Sequence, residues 1–235
     1  MYRGLIHFHS YYSYDSILSM KQIINFALKN DLNFLVLTDH DTINGSLELK
    51  EYVKKNKIEL EIIIAAEYKT EYGDVIALDI DFEITDMNFD NFVSEVKKQN
   101  GLILFPHPYV GHINIDKIAK YSDLIEIFNS RIDDIKNHKA AELAKKYNKF
   151  VYFASDAHTE MSLKNSIIEF EKCASFKESL LKSKVNQITN YKTYNFEIIY
   201  SQLIKSVKHR NFRLFYSVMK RIIKQLITVR LFKVI

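Results

Sequence analysis

Short apolar runs alternate with longer amphipathic stretches over roughly the first 183 residues. The runs occupy residues 4–9, 33–38, 61–67, 74–80, 102–106, 123–128, 150–154 and 165–170. They are rich in Ile, Val, Leu and Phe with little polar alternation, as expected of strands buried on both faces. Between them Met20, Ile23, Ile24, Ala27 and Leu28 recur at helical spacing, and so do Ala140, Leu143, Ala144 and Tyr147. Ser19 followed three residues later by Gln22 predicts a capping box at the start of the first of these helices. Strand–helix alternation of this kind predicts βαβ units, and so a barrel or an open wound sheet. Residues 74–80 follow 61–67 without room for a helix, which predicts a hairpin or an added strand beside the main sheet.

The rhythm changes near Tyr194. Beyond it Phe212, Phe215, Tyr216, Met219, Ile222, Ile223 and Leu226 form one apolar stripe, uninterrupted by Gly or Pro, and one or two helices are expected. Residues 198–235 carry nine basic residues and no acid, leaving 24 basic and 29 acidic residues before them. Residues 1–194 are therefore expected to form a mildly acidic α/β domain, and 195–235 a basic amphipathic helical tail. The single Cys173 cannot form an internal disulfide, which suits a reducing compartment. Residues 1–10 hold no apolar stretch resembling a signal peptide, and no apolar run reaches the length of a membrane span. A cytoplasmic location is the expectation.

Five of the eight histidines fall at or just beyond the ends of the apolar runs, together with acids. His7 and His9 share one face if the strand continues through them, and Asp15 follows in the next loop. Thr38-Asp39-His40-Asp41 closes the second run, and Glu67 ends the third. His107 lies between Pro106 and Pro108, and Asp156-Ala157-His158 follows residues 150–154. Singly, each has a bland reading: a turn with a cap, a solvated strand end, a rigid proline turn. Jointly they form a set of imidazole and carboxylate ligands suited to zinc, manganese or iron. With no cysteine among them, a structural thiolate site is excluded. No Gly-rich phosphate-binding motif is present among the five dispersed glycines, which argues against dinucleotide or P-loop chemistry. His138 and His209 read as surface residues.

Over about residues 3–170 the ordered motifs resemble the PHP (polymerase and histidinol phosphatase) superfamily. They are His7-Phe8-His9-Ser10 with Ser13 and Asp15, Thr38-Asp39-His40-Asp41-Thr42, Ala66-Glu67, Pro106-His107-Pro108 and Ser155-Asp156-Ala157-His158. The resemblance implies a distorted (βα)7 TIM-like barrel, here with a C-terminal helical extension, and two to three divalent metal ions at its mouth. It implies His7, His9, Glu67 and Asp156 around one ion, Asp15, His40 and His158 around another, and Glu67 with His107 at a third. Where some members add a His or Cys to the third ion, this chain has Asn129.

The implied activity is that of a metal-dependent phosphoric ester hydrolase, in which a metal-bound hydroxide attacks a phosphate ester. Arg131 is expected to bind a phosphoryl oxygen through its planar fork. Asp39 is expected to orient a ligand histidine, and His158 to assist the leaving group or serve as a ligand. The acidic body offers no extended basic groove for long nucleic acid, so a small phosphorylated compound, a nucleotide or a short oligonucleotide is the expected substrate. The alternative is a regulatory or binding module that keeps its metals with little turnover. The basic tail is expected to pack on the barrel or pair two copies, with a membrane, nucleic-acid or protein contact as the other readings.

Overall fold

The computed structural model describes residues 1–232, with side chains through Lys224. Among the described residues ten strands form two five-stranded sheets. The first holds β1 (Tyr2–Ile6), β2 (Phe34–Val36), β3 (Glu61–Ile63), β9 (Ile168–Phe170) and β10 (Asn186–Gln187), in the order β10-β9-β1-β2-β3. The second holds β4 (Ala65–Thr70), β5 (Gly73–Leu78), β6 (Leu102–Phe105), β7 (Leu124–Asn129) and β8 (Phe150–Ala154) in sequence order. The apolar run at 61–67 is thus split: β3 joins one sheet and β4 the other. β4 and β5 make the antiparallel hairpin, turning at Gly73, whose φ of 127° suits a residue without Cβ.

The helices are α1 (Met20–Lys29), α2 (Asn44–Lys55), α3 (Phe89–Lys98), α4 (Ile115–Tyr121), α5 (Asp134–Lys146), α6 (Glu160–Leu163), α7 (Phe176–Lys182), α8 (Asn195–Lys208) and α9 (Phe212–Phe232). The capping box at Ser19 and Gln22 is formed at the start of α1. Burial explains the layering. Leu5, Leu35 and Ile62 face α1 and α2 across one apolar layer, while Ala77, Ile103 and Ile125 face α3, α4 and α5 across another. The opposite faces of both sheets meet in a third layer containing Ile6, Val36, Ile76, Leu104 and Tyr152. Strands buried on both faces account for the unbroken apolar runs.

The floor of this inner layer is aromatic: Phe34 lies 5.1 Å from both Tyr2 and Phe170 and 5.0 Å from Phe176, ring centre to ring centre. At the other end two isolated parallel bridges join the sheets, Phe8 with Ala157 and His40 with Glu67. The polar cluster sits there.

The tail forms two helices. α8 packs against the body, burying Glu197, Ile199, Ser201, Ile204 and Ser206. α9 packs on α8 and buries Val218, but Phe212, Tyr216 and Ile223 are largely exposed. The side chains of Leu226 and Arg230, and Lys233 altogether, lie outside the described residues. Among the described residues no helix is long and apolar enough to cross a membrane.

Candidate metal centre

The first histidine pair departs from simple strand alternation. β1 stops at Ile6, and His7 takes a left-handed φ of 64°. β8 likewise stops at Ala154, and Asp156 has φ of 48°. The two kinked segments hold each other: the Asp156 amide donates to the His7 carbonyl at 2.9 Å, and the His9 amide to the Ala157 carbonyl at 2.8 Å. This pairing brings the His7 and His9 rings to 5.4 Å and the His9 and His158 rings to 4.3 Å. Glu67 sits inside β4 rather than at a strand end.

All eight expected ligands converge on one end of the molecule. Glu67 is central: its Oε2 lies 3.6 Å from His7 Nε2, 3.5 Å from His9 Nε2 and 3.2 Å from His40 Nδ1, and its Oε1 lies 3.0 Å from His107 Nε2. Asp156 Oδ1 is 3.3 Å from His9 Nε2 and 3.7 Å from His7 Nε2. Asp15 Oδ1 is 3.4 Å from His40 Nε2 and 3.1 Å from His158 Nε2. A cavity of about 430 Å³ opens over them, lined also by Arg131 and Lys136 and by Gln202 and Lys205 of α8.

The donor set fits divalent cations. His7 Nδ1 lies 2.8 Å from Glu126 Oε1 and so donates to it, which makes Nε2 the nitrogen that a cation would take in place of a proton. The single Ser13 hydroxyl proton goes to Asp39 Oδ1 at 2.7 Å, so His9 Nδ1, at 3.1 Å from Ser13 Oγ, must donate to that oxygen. Its Nε2 is bare. His158 Nδ1 lies 2.9 Å from the Asp156 carbonyl and against the Arg131 guanidinium, and its Nε2 is 3.1 Å from Asp15 Oδ1. His7 Nε2, His9 Nε2, Asp15 Oδ1 and His107 Nδ1 are buried with no hydrogen-bond partner, and buried polar atoms in that state are rare. The ligand atoms of His7, His9 and Asp156 lie within 4.8 Å of one another, as do those of His9, His40 and His158, and of His7, Glu67 and His107.

The electrostatics reflect the same crowding. Burial pulls His7 down, but Glu126, Asp156 and Glu67 outweigh it and hold the imidazole well above its ordinary range. Burial, with His158 and His40 nearby, lowers His9 to about 3. His107 rises to about 9, because Glu67 overcomes burial. Glu67, opposed by burial but surrounded by His7, His107 and His40, is held well below the carboxylate range.

Asp39, expected among the catalytic residues, is buried behind the cluster and does not line the cavity. It accepts from the Ser10 amide at 2.7 Å, the Ser10 hydroxyl at 2.6 Å and the Ser13 hydroxyl, so it reaches His9 only through Ser13. Arg131 lies beside His158, 3.7 Å from Asp156, and donates to Ser201 of α8 at 2.9 Å. Asn129 donates to Glu126 at 2.9 Å and to Asp156 at 3.2 Å; it ties two acids together.

Sequence reasoning passed over Glu126, Asp74 and His112. The signal for Glu126 was present, since a charge in the middle of a buried apolar strand demands a buried partner. Asp74 and His112 stand beside His107, brought there by the hairpin and the loop after β6, which no local pattern announces. His138 is exposed on α5, and His209 is also exposed, its ring centre 4.8 Å from that of Tyr14.

Residues 6–228 match the family model described as the PHP domain. The chain belongs to the PHP domain family. Two uncharacterized proteins of Methanocaldococcus jannaschii are similar to this PHP chain. One is 30% identical over 120 residues, covering 49% of this chain and 69% of its own length. The other is 29% identical over 184 residues, covering 61% and 77%. Among solved structures, a two-domain protein from Bacteroides vulgatus containing a predicted PHP-like metal-dependent phosphoesterase superposes with a TM-score of 0.65 at 16% identity, over 80% of this chain and 65% of that one. PsfC from Pseudomonas syringae gives 0.63 at 15% identity, over 88% and 99%. At these identities the likeness concerns the fold.

Proposed function

We propose that this PHP chain is a metal-dependent phosphoesterase acting on a small phosphorylated compound or a short oligonucleotide. The observation that carries the reading is the convergence of the buried, unpartnered Nε2 atoms of His7 and His9 on Glu67, with the equally unpartnered Asp15 Oδ1 between His40 and His158. His7, His9, Glu67 and Asp156 would hold one cation, and Asp15, His40 and His158 a second. Glu67 with His107 would hold a third. Manganese, iron and zinc all suit the mixture of imidazole and carboxylate. Such cations, when bound, supply Lewis acidity at phosphoryl oxygens and make water acidic enough to attack near neutral pH.

The chain's own groups position the substrate and the ligands. Arg131, anchored by Ser201, presents a guanidinium beside His158 where a non-bridging phosphoryl oxygen would lie. Glu126 fixes the His7 ring, and Asp39 fixes His9 through Ser13. His158, with Nε2 3.1 Å from Asp15 Oδ1, is read as a ligand rather than as an acid for the leaving group. A cavity of about 430 Å³ accommodates a nucleotide-sized molecule and favours small substrates over long polymers. We read the two bridged sheets as the family's distorted barrel, with the cluster at the C-terminal ends of its strands.

The test is metal analysis followed by a panel of phosphomonoesters and phosphodiesters, assayed after reconstitution with manganese, iron or zinc. Hydrolysis of at least one class, abolished by His7→Ala with His9→Ala, is expected. Protein that takes up these metals and hydrolyses nothing would leave a metal-retaining binding module as the better reading.

A further inference from the structure

Helix α8, in the basic tail, touches the surroundings of each ligand expected at the Asp15–His40–His158 cation. Lys208 Nζ donates to the carbonyls of Tyr11 at 2.8 Å, Ser13 at 2.7 Å and Ser16 at 2.8 Å. These three belong to the loop that aims Asp15. The ring of Tyr14, in the same loop, stacks on His40 at 4.3 Å and 4° between planes, and Lys205 Nζ lies 4.4 Å from the Tyr14 ring centre. Glu197, 3% exposed, accepts from Thr159 and from Ser162, the latter at 2.5 Å, fixing the chain directly after His158.

The other cation's ligands are braced differently. Glu126 holds His7, Asn129 holds Asp156, and Ser13 backed by Asp39 holds His9. Those partners lie outside the tail, and α8 reaches this second group only indirectly, through the Ser13 carbonyl held by Lys208 and through Ser201, which accepts from Arg131, 3.7 Å from Asp156. Asp15 lies well into the thirteen-residue connection between β1 and α1 and needs an external hold, whereas His7 and His9 at its start are tied to the Asp156 and Ala157 backbone. Three carbonyls converging on one ammonium leave three acceptors without that donor if it is removed. Burial pulls the Lys208 ammonium below its usual range, while Asp15 and Asp39 oppose that shift.

We propose that α8 is an internal clamp for the Asp15–His40–His158 cation site, with Lys208 and Glu197 as its two positioning residues. The proposal rests on the cation-cluster reading given above. It predicts unequal loss: weakening the clamp at Lys208 costs the Asp15–His40–His158 cation far more than the other, which α8 reaches only through Ser13 and Arg131.

The experiment uses the full-length chain, stripped of metal and titrated with manganese by electron paramagnetic resonance, with circular dichroism as a check of folding. Lys208→Met is expected to weaken one equivalent by about tenfold or more, the range seen when outer partners of metal ligands are lost, and to leave the equivalent weakened by Glu126→Gln largely intact. Lys208→Arg, which keeps donors near the carbonyls, should recover part of the loss. In an Asp15→Asn background Lys208→Met should add nothing, an outcome that a general loss of stability would not give. Glu197→Gln tests the opposite end of the helix and serves alone if Lys208→Met does not fold. Variants matching the wild type, or losing both equivalents together, overturn the clamp while leaving the cluster. Wild-type protein that binds no manganese, iron or zinc overturns both.

Discussion

Replacing Glu126 by glutamine separates the cluster's inner support from its ligands. The carboxylate is 1% exposed and serves three donors: His7 Nδ1 at 2.8 Å, the His107 amide at 2.7 Å and the Asn129 amide group at 2.9 Å. Glutamine keeps the volume but has one oxygen and one NH2. If its oxygen faces His107 and Asn129, the NH2 faces His7, which must then accept at Nδ1 and carry its proton on Nε2. That removes the lone pair aimed at Glu67 and Asp156. If its oxygen faces His7, two donors meet an NH2 instead. Either arrangement forfeits at least one charge-assisted hydrogen bond, about 1.5–3 kcal/mol. Loss of a metal ligand's outer partner costs about 10–100-fold in affinity, roughly 1.4–2.8 kcal/mol, so two independent routes agree. Competition with a chromophoric chelator should show one cation equivalent of Glu126→Gln weakened within that range, with unchanged circular dichroism. Wild-type affinity in both equivalents would refute the reasoning about the His7 tautomer.

Three further outcomes follow from the packing. A Cβ on Gly45 would lie 2.0 Å from Asp39 Oδ2 and 3.1 Å from Ser10 Oγ, so Gly45→Ala should cost about 1–3 kcal/mol by overpacking, read as a lower urea midpoint, and should weaken metal binding through Ser13. Ser19→Ala removes the cap of α1 and should cost about 1 kcal/mol in thermal stability, with kcat/KM unchanged. A chain ending at Tyr194 removes Ile199 and Ile204 from the body together with Lys208 and Glu197; it should be poorly soluble or lose a cation equivalent, and a soluble truncated protein with wild-type stoichiometry would show the tail to be dispensable.

The apolar runs foretold the strands because burial on both faces leaves no room for polar alternation. They could not show that the run at 61–67 serves two sheets, since Ile63 and Ala65 are both buried and differ only in which neighbours cover them. Ser19 and Gln22 announced α1 through local hydrogen bonding, which a sequence records directly. The histidines and acids were legible as a set, because ionisable groups at the ends of apolar runs have few structural uses. The part played by α8 was not legible: the charge asymmetry marked the tail as different, but only its docking puts Lys208 against loop carbonyls nearly 200 residues earlier in the chain. The exposed Phe212 and Tyr216 show that the α9 stripe does not find full cover on the body.

His7 and His9 reach the cluster by a geometry other than strand alternation. Alternation along a strand would place both rings on one face, yet His7, His107 and Asp156 all have positive φ, at 64°, 30° and 48°. Such backbone costs on the order of 1–3 kcal/mol per residue and persists only where the surroundings over-determine it. Here they do. The His7 carbonyl accepts from Asp156, the His7 amide donates to Val36 at 3.2 Å, and the His107 amide donates to Glu126. The backbone of one ligand is therefore held by another ligand or by a residue that also touches one. Substitutions at two of these positions should not add independently, because each removes a restraint on the other as well as a donor atom. Cooperative assembly of this kind makes the cluster a property of the joined sheet edges, and it explains why ligands dispersed over some 150 positions are most sensibly perturbed in pairs.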